Sequence, residues 1–372
     1  MVPLPPGRKT IKNKWVFKTK KYQDGAAPAF KARLVAKGYS QIRGIDYDEI
    51  FSPVVRHEFI RAILGTVASR DLVLHFDAKN AFLNGTLKEE LYMEQPEGFI
   101  IPKQEDLVCR LNKSIYGLKE ASRTWNKAVN SCMLAFGLNQ STSDPCVFYL
   151  PSSEPYIVAT FWVDDGLLAS NELKSLANLT RHIRNYFQIT TKPLERFVGL
   201  HINRDRKNRE LVVYNPRYTA ELLERFEMTS CNHKSVPADP HTCLTKDMSP
   251  SSQQQKEKKA AVPYREAVGS LQYAAITFRP DIAYELNQTT RFIENPGPAH
   301  WNAIKQILAY LKGTANLGIV FKGGIEELNA FSDADFGKCI DSRRSISGSL
   351  LRLNGPVTWG SKRQSCVATS TT

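Results

Sequence analysis

Cysteine is scarce in this sequence, with 7 residues among 372, and no two of them stand in a C-x-x-C spacing. The chain therefore signals neither a zinc site nor a disulfide framework, and it is typical of an intracellular protein with reduced, mostly buried thiols. No apolar run approaches the roughly 18 residues of a membrane span, and no secretory signal opens the chain. We expect no membrane partner. The opening MVPLPPGRKT is more typical of the middle of a longer protein than of a natural start.

Acidic residues are almost missing from the first 43 residues, where Asp24 stands against eleven Lys and Arg residues. The difference of +10 accounts for most of the formal net charge of +13. Such concentrated positive charge favours a polyanionic partner, such as nucleic acid or nucleotide phosphate. The alternative is a basic face that only keeps the protein in solution.

Turn signals divide this basic region into a predicted β-hairpin. Residues 15–22 and 29–39 read as strands, and Asp24-Gly25 marks the turn between them. Lys31 and Arg33 are two residues apart and therefore share one face of the second strand. Two cations on one face can hold a phosphate chain, although they are also ordinary surface residues of a strand.

Three acidic residues interrupt apolar segments. Residues 72–76 predict a strand that ends at Asp77, and residues 156–170 predict a hairpin with Asp164-Asp165 at its tip. If the strands are neighbours, the carboxylates converge and can bind two divalent ions for phosphoryl transfer. Because successive strand side chains point in opposite directions, only one of the tandem pair should be a principal ligand with Asp77. A helix cap and a turn-forming pair are the alternative interpretation.

Helical spacing of apolar residues predicts further elements. The predicted helices cover residues 57–70, 121–136 and 172–186, and three more are predicted between residues 264 and 314. Residues 251–261 predict a linker or exposed loop. Phe82 lies in a predicted turn or helix start, where its ring could contact a nucleotide sugar and exclude a 2′-hydroxyl. A core phenylalanine is an equally good interpretation of this spacing.

Seven motifs follow one another along the chain: KARLVAKGYSQ, DYDEIFSPVVRHEFIRAIL, FDAKNAFLNGTLKEELYMEQPEGF, LNKSIYGLKEASRTWN, FWVDDGLLAS, YREAVGSLQYAAITFRPDIAY and HWNAIKQILAYLKGT. Their order resembles the reverse transcriptase of copia-type LTR retrotransposons. They are collinear and extend over nearly all of the chain.

The resemblance implies an α+β fold with fingers, palm and thumb, a connection region and a truncated RNase H-like α/β fragment. Fingers and palm would cover residues 1–190, thumb and linker 191–260, a helical connection 261–325, and the first RNase H strands 326–372. It implies RNA- and DNA-directed DNA synthesis from dNTPs with two Mg²⁺ or Mn²⁺ ions. The expected partners are an RNA template, a DNA primer, an RNA–DNA hybrid and the rest of a Gag-Pol-type polyprotein. The expected location is a cytoplasmic virus-like particle and the nucleus.

The resemblance also implies roles for individual residues. The metal ligands and catalytic residues would be Asp77 and Asp164, with Asp165 as the third carboxylate. The nucleotide-binding residues would be Lys31, Arg33, Phe82, Tyr116 and Gly117. Trp162 and Val163 would lie near the primer end. Asp333 matches the first metal-binding aspartate of the RNase H domain.

The chain departs from the family pattern at a few positions. Trp162 replaces a tyrosine, and Glu120 and Ser122 replace the usual glutamine and proline. The sequence stops at Thr372, before the glutamate that supplies the next RNase H ligand, so we expect no RNase H activity from this chain alone. These departures keep open a second hypothesis, a decayed or co-opted remnant that binds nucleic acid without chemistry.

Overall fold

The computed structural model describes residues 1–20, 29–152, 154–239, 242–252 and 262–370. The predicted turn at Asp24-Gly25 and most of the predicted loop over residues 251–261 lie outside the described residues. The chain has a mixed α/β fold and divides into two compact units. Unit 1 contains residues 1–56 and 72–193, and unit 2 contains residues 57–71 and 194–372.

Unit 1 is built mainly of β-strands. Its strands are β1 (Val2–Pro3), β2 (Asn13–Lys20), β3 (Ala29–Ala36), β4 (Leu72–Ala78), β5 (Tyr92–Met93), β6 (Leu107–Arg110), β7 (Asn139–Gln140), β8 (Val147–Tyr149), β9 (Ile157–Trp162), β10 (Asp165–Ser170) and β11 (Ile189–Lys192). Its helices are α2 (Ala121–Ala135) and α3 (Leu173–Tyr186), with short 3₁₀ turns at Gly38–Ser40 and Ala81–Asn84.

The central sheet of unit 1 has six antiparallel strands in the order β11-β4-β10-β9-β8-β7. Alternate residues of its strands, such as Phe76, Ala159 and Phe161, join one buried cluster with side chains of α2 and α3. Burying one large apolar side chain of this kind contributes about 1.5–3 kcal/mol to the free energy of folding. The opposite face of β4 carries His75 and Asp77. Two smaller sheets, β1-β6-β5 and the ribbon β2-β3, complete the unit.

Unit 2 combines helices with two further sheets. Its helices are α1 (His57–Arg70), α4 (Pro216–Arg225), α5 (Tyr264–Thr277), α6 (Ala283–Thr290) and α7 (Pro298–Gly313). Its strands are β12 (Arg196–Phe197), β13 (Leu200–Asp205), β14 (Glu210–Tyr214), β15 (Ile319–Lys322), β16 (Leu328–Ala334), β17 (Ile346–Leu353) and β18 (Pro356–Arg363). The sheet orders are β12-β13-β14-β15 and β16-β17-β18.

A buried arginine connects several elements of unit 2. Arg61 of α1 is 3% exposed and donates hydrogen bonds to the carbonyl oxygens of Val357 and Thr277. Its guanidinium lies 4.1 Å from the ring centroid of Trp359. Burial lowers the pKa of Arg61 to about 10, which still leaves it charged at neutral pH.

The predicted helices are confirmed, with α1 at the predicted bounds and α2 and α3 within a residue of them. The strand predicted over residues 29–39 ends earlier, at Ala36, because Gly38–Ser40 turns into a 3₁₀ helix against the loop that contains Gly117. The prediction of the hairpin tip was wrong by one residue. Asp165 pairs in register with Trp162, so the turn consists of Val163 and Asp164.

Helix α4 was not among the predicted elements. Its start carries a clear local signal, since the Asn215 side chain accepts a hydrogen bond from the backbone N–H of Tyr218 and Pro216 occupies the first turn. Among the described residues, no helix combines the length and the apolar character that a membrane span requires.

Candidate active site

Asp77 and Asp165 lie directly opposite each other on neighbouring antiparallel strands, β4 and β10. Side chains opposite each other in such a pair share one face, with Cβ atoms about 4.5–5.5 Å apart. The backbone N–H of Ala78 donates to the carbonyl oxygen of Asp164 at 2.8 Å, which ties the hairpin turn to the end of β4. The structure therefore brings the three predicted acids together at one end of the neighbouring strands β4 and β10.

The turn that carries Asp164 is strained. Val163 has a φ of 57°, a left-handed conformation that a β-branched residue rarely adopts. Strain of this type costs about 1–3 kcal/mol and persists only where the surroundings hold it. The indole N–H of Trp125, a buried residue of α2, donates to the Val163 carbonyl oxygen at 2.6 Å. Trp125 in turn packs edge-on against Phe187, with ring centroids 4.8 Å apart.

A histidine that the sequence analysis did not single out contacts one of the acids. Nε2 of His75 lies 2.8 Å from Oδ1 of Asp165. His75 is almost fully buried, and its position two residues before Asp77 places both on the same face of β4. This i, i+2 spacing was the signal available in the sequence. The Asp165 carboxylate is thus engaged by the His75 side chain.

The acids influence one another electrostatically. Burial raises the pKa of Asp164, the neighbouring carboxylates of Asp165 and Asp77 raise it further, and Arg33 opposes them. Carboxylate oxygens are the ligands that Mg²⁺ prefers, so this donor set suits a hard divalent cation. Within the described part of the chain, no group of three or more His, Cys, Asp or Glu side chains is arranged to hold a metal ion.

An aromatic and cationic cluster adjoins the acids. The Arg33 guanidinium lies 5.4 Å from the ring centroid of Tyr116, and the rings of Phe82 and Tyr116 meet edge-on at 4.9 Å. Burial raises the pKa of Tyr116, Asp164 raises it further, and Arg33 lowers it. These electrostatic effects indicate that Tyr116 is near both the acid and the guanidinium.

Gly117 fixes the loop beside this cluster. Its φ of 93° favours glycine, and a Cβ atom there would lie 2.1 Å from the carbonyl oxygen of Ala36. This close approach accompanies a backbone hydrogen bond from the N–H of Ala36 to the Tyr116 carbonyl oxygen, at 2.8 Å. The β2-β3 ribbon is therefore joined to the loop that carries Tyr116.

The other predicted site residues are placed as follows. Lys31 lies two residues along β3 from Arg33 and pairs in register with Lys18. Trp162 ends β9 opposite Asp165. Asp333 belongs to unit 2, on the exposed strand β16, where it pairs with Gly348.

Glu120 is buried near the same loop. The side-chain amide of Gln41 donates to Oε2 of Glu120 at 3.0 Å, whereas Oε1 is buried with no hydrogen-bond partner among the described residues. Burial raises the pKa of the Glu120 carboxyl group. A neutral side chain would suit this environment better.

Comparison with known proteins identifies the class of protein to which this chain belongs. Residues 1–240 match the family model of the reverse transcriptases, described as RNA-dependent DNA polymerase. The chain therefore belongs to the reverse transcriptase family, a family of DNA-polymerising enzymes.

Relatives of this chain include Pol polyproteins of plant transposons, which places the chain among the copia-type reverse transcriptases. The whole chain is 44% identical to the retrovirus-related Pol polyprotein from transposon TNT 1-94 of Nicotiana tabacum and 38% identical to that from transposon RE2 of Arabidopsis thaliana. It spans only 28% and 25% of the lengths of these two curated relatives. The crystal structure of prototype foamy virus protease–reverse transcriptase aligns with 98% of this chain and 40% of that chain, at 11% identity and a TM-score of 0.30, too low to assign individual elements.

Proposed function

We propose that this chain is the RNA- and DNA-directed DNA polymerase of a copia-type retrotransposon, which adds dNTPs to the 3′-hydroxyl of a primer. The observation that carries the proposal is the convergence of Asp77, Asp164 and Asp165 at one sheet edge, beside the cluster of Arg33, Tyr116 and Phe82. Nucleotidyl transfer needs little more from a protein than acids to bind metal ions and groups that position the substrates.

In this mechanism Asp77 and Asp164 would hold the metal ions, and Asp165, hydrogen-bonded to His75, would support them. Two Mg²⁺ or Mn²⁺ ions would supply activation of the primer hydroxyl and stabilisation of the leaving pyrophosphate. The strained turn at Val163 sets the position of Asp164 relative to the primer end. Trp162, next to it, is proposed to contact the primer.

The substrate-positioning roles fall to the ribbon and the loop beside it. Arg33, with Lys31 on the same face, is proposed to bind the triphosphate of the incoming nucleotide. Phe82 packs on Tyr116, and we assign its ring the exclusion of a 2′-hydroxyl from the nucleotide sugar. Gly117 allows the loop to approach the ribbon closely.

The proposed partners are an RNA template, a DNA primer, their hybrid, and the other segments of a Gag-Pol-type polyprotein. For Asp333 we propose a carboxylate of an RNase H-like sheet.

A second candidate function is nucleic-acid binding without chemistry. The contact of Asp165 with His75 favours it, because one of the three carboxylates is already engaged by a protein side chain.

Primer extension on poly-rA/oligo-dT with Mg²⁺ or Mn²⁺ separates the two functions. The polymerase extends the primer, and Asp77→Asn loses extension while retaining affinity for the duplex. If the wild-type chain binds the duplex with a salt-dependent affinity but adds no nucleotide, the binding function stands and the polymerase function falls.

A further inference from the structure

Unit 2 contains a pocket of about 600 Å³ that the proposed polymerase chemistry does not use. Helices α6 and α7 line it, together with residues of the segments 237–239, 242–244 and 338–340. The volume lies in the range of about 300–1,000 Å³ that is usual for small-molecule sites. All the described lining residues belong to unit 2, whereas the candidate active site belongs to unit 1.

Arg291 lines this pocket and is almost completely buried, with a side chain that is 8% exposed. Its guanidinium donates from Nη2 to Oδ2 of Asp341 at 2.8 Å and from Nη1 to Oε1 of Gln288 at 2.9 Å. The remaining donor, Nε–H, is buried and has no hydrogen-bond partner among the described residues. A buried donor without a partner is unfavourable, which makes this N–H a candidate ligand contact.

Gln288 offers a second donor beside the first. Because arginine carries only donors, the oxygen of the Gln288 amide faces Arg291, and its nitrogen Nε2 is held close to the guanidinium. Nε2 is also buried, without a hydrogen-bond partner in the described part of the chain, and Gln288 lines the same pocket. Two unpaired N–H donors on one linked pair of side chains indicate a ligand that accepts hydrogen bonds.

The charges around the pocket disfavour an anionic ligand. Arg291 is already neutralised by Asp341, whose side chain is 10% exposed. Lys338 faces a similar balance, because its charge opposes the rise that burial causes in the pKa of Glu285. Asp239 adds a further negative charge to the lining. An anion would therefore meet no surplus of positive charge, whereas a neutral acceptor has no charge to compensate.

We propose that this pocket binds a small neutral amide that carries a ring, whose carbonyl oxygen accepts hydrogen bonds from Nε of Arg291 and Nε2 of Gln288. A carbonyl oxygen has two lone pairs and can accept both bonds. Leu244, Ala303 and Ile307 provide apolar lining for the ring. The inference is independent of the polymerase proposal, because the site lies in unit 2 and uses none of the three acids.

The test compares three probes of similar shape, benzamide, benzoate and toluene, in saturation-transfer NMR titrations of the full chain. Benzamide carries the neutral carbonyl group, benzoate carries a charged one, and toluene carries no acceptor. We expect benzamide to bind with a Kd on the order of 1 mM, as is reasonable for so small a ligand. Benzoate and toluene should bind at least about tenfold more weakly, because one brings an uncompensated charge and the other leaves both donors unpaired.

Variants of Gln288 locate the binding. Gln288→Glu keeps an oxygen for Arg291 and replaces the Nε2 donor with an acceptor, so the affinity for benzamide should fall at least about tenfold. Gln288→Met removes the donor without adding a charge and should also weaken binding. Gln272→Glu is the matched control, since it makes the same charge change at an exposed position of α5 in unit 2. It should bind benzamide like the wild type, and circular dichroism checks the fold of each variant.

Four results would overturn the inference. Absence of benzamide binding would mean that the two donors serve water alone. Toluene binding as tight as that of benzamide would make the pocket merely apolar, and tighter binding of benzoate would make it an anion site. Unchanged benzamide affinity in Gln288→Glu would place the ligand elsewhere. Primer extension enters none of these measurements, so the polymerase proposal stands or falls separately.

Discussion

The indole N–H of Trp125 donates a hydrogen bond to the carbonyl oxygen of Val163, at 2.6 Å, and so connects helix α2 to the turn that carries Asp164. Val163 holds a left-handed φ of 57° in that turn. Trp125 is therefore a positioning residue: it does not touch the acids, but it fixes the backbone on which Asp164 stands.

Trp125→Phe should keep most of the packing and lose this hydrogen bond. We expect about 1 kcal/mol lower unfolding free energy and a roughly tenfold lower rate of single-turnover primer extension, with the affinity for primer–template unchanged. Trp359→Phe is the matched control, because Trp359 makes a similar hydrogen bond to the Ala275 carbonyl oxygen in unit 2. An equal loss of rate in both variants would mean that Trp125 acts only through stability.

We expect His75 to position the Asp165 carboxylate through its hydrogen bond and not through the volume of its ring. His75→Gln retains a donor and should keep most of the extension rate, whereas His75→Ala should lower it about tenfold. The Ala variant should also lose about 1–3 kcal/mol of stability, because a half-buried carboxylate loses its partner. Extension rates and thermal unfolding of both variants test this. Equal extension rates in His75→Gln and His75→Ala would show that the hydrogen bond from His75 to Asp165 does not support catalysis.

Glu120 gives the chain a pH-dependent stability. Its pKa is raised in the folded chain, so its stabilising contribution is complete below the unfolded pKa of about 4.3 and is lost as the pH rises through the folded pKa. Glu120→Gln should remove this loss and raise the unfolding free energy by about 1 kcal/mol at pH 8, with a smaller difference near pH 4. Urea unfolding at both pH values measures it.

The exposed Glu97 supplies the control for that experiment, since Glu97→Gln changes the same charge outside the core. It should leave the unfolding free energy within about 0.5 kcal/mol of the wild type at both pH values. A Glu120→Gln variant that is less stable than the wild type at pH 8 would contradict the account of Glu120.

Phe82 should control the choice of sugar. Phe82→Ala is expected to raise the incorporation of ribonucleotides relative to deoxyribonucleotides by at least about tenfold, because the ring that would meet the 2′-hydroxyl is removed. Tyr116→Phe keeps the ring packed against Phe82 and should leave the ratio unchanged. The measurement is the ratio of kcat/KM for ribonucleotides to kcat/KM for deoxyribonucleotides. An unchanged ratio in Phe82→Ala would show that Phe82 does not select the sugar and serves only in packing.

Local sequence patterns predict the elements that depend on short-range spacing. Helix α1 shows apolar residues at helical spacing and was placed at its observed bounds. The convergence of Asp77 with the distant tandem acids was expected from their strand positions, and the register of β4 with β10 agrees. The proposed chemical roles of these acids stay predictions.

The remaining features of the site depend on contacts between residues that are far apart in the sequence, which no local pattern predicts. His75 meets Asp165 across 90 positions of sequence, and Trp125 meets Val163 across 38. The hairpin turn was misplaced by one residue because its register is set by strand pairing, and because a valine with positive φ is not expected from propensity. Tertiary contacts hold a local conformation that the sequence alone disfavours.

The most direct measurement of the central claim is single-turnover primer extension by wild type, Asp77→Asn and Asp106→Asn, alongside the primer–template affinity of each. Asp106 is an exposed acid of unit 1 and matches the charge change. The account predicts that Asp77→Asn extends at least about a thousandfold more slowly, that Asp106→Asn extends like the wild type, and that all three bind alike. Extension by Asp77→Asn at the wild-type rate would contradict it.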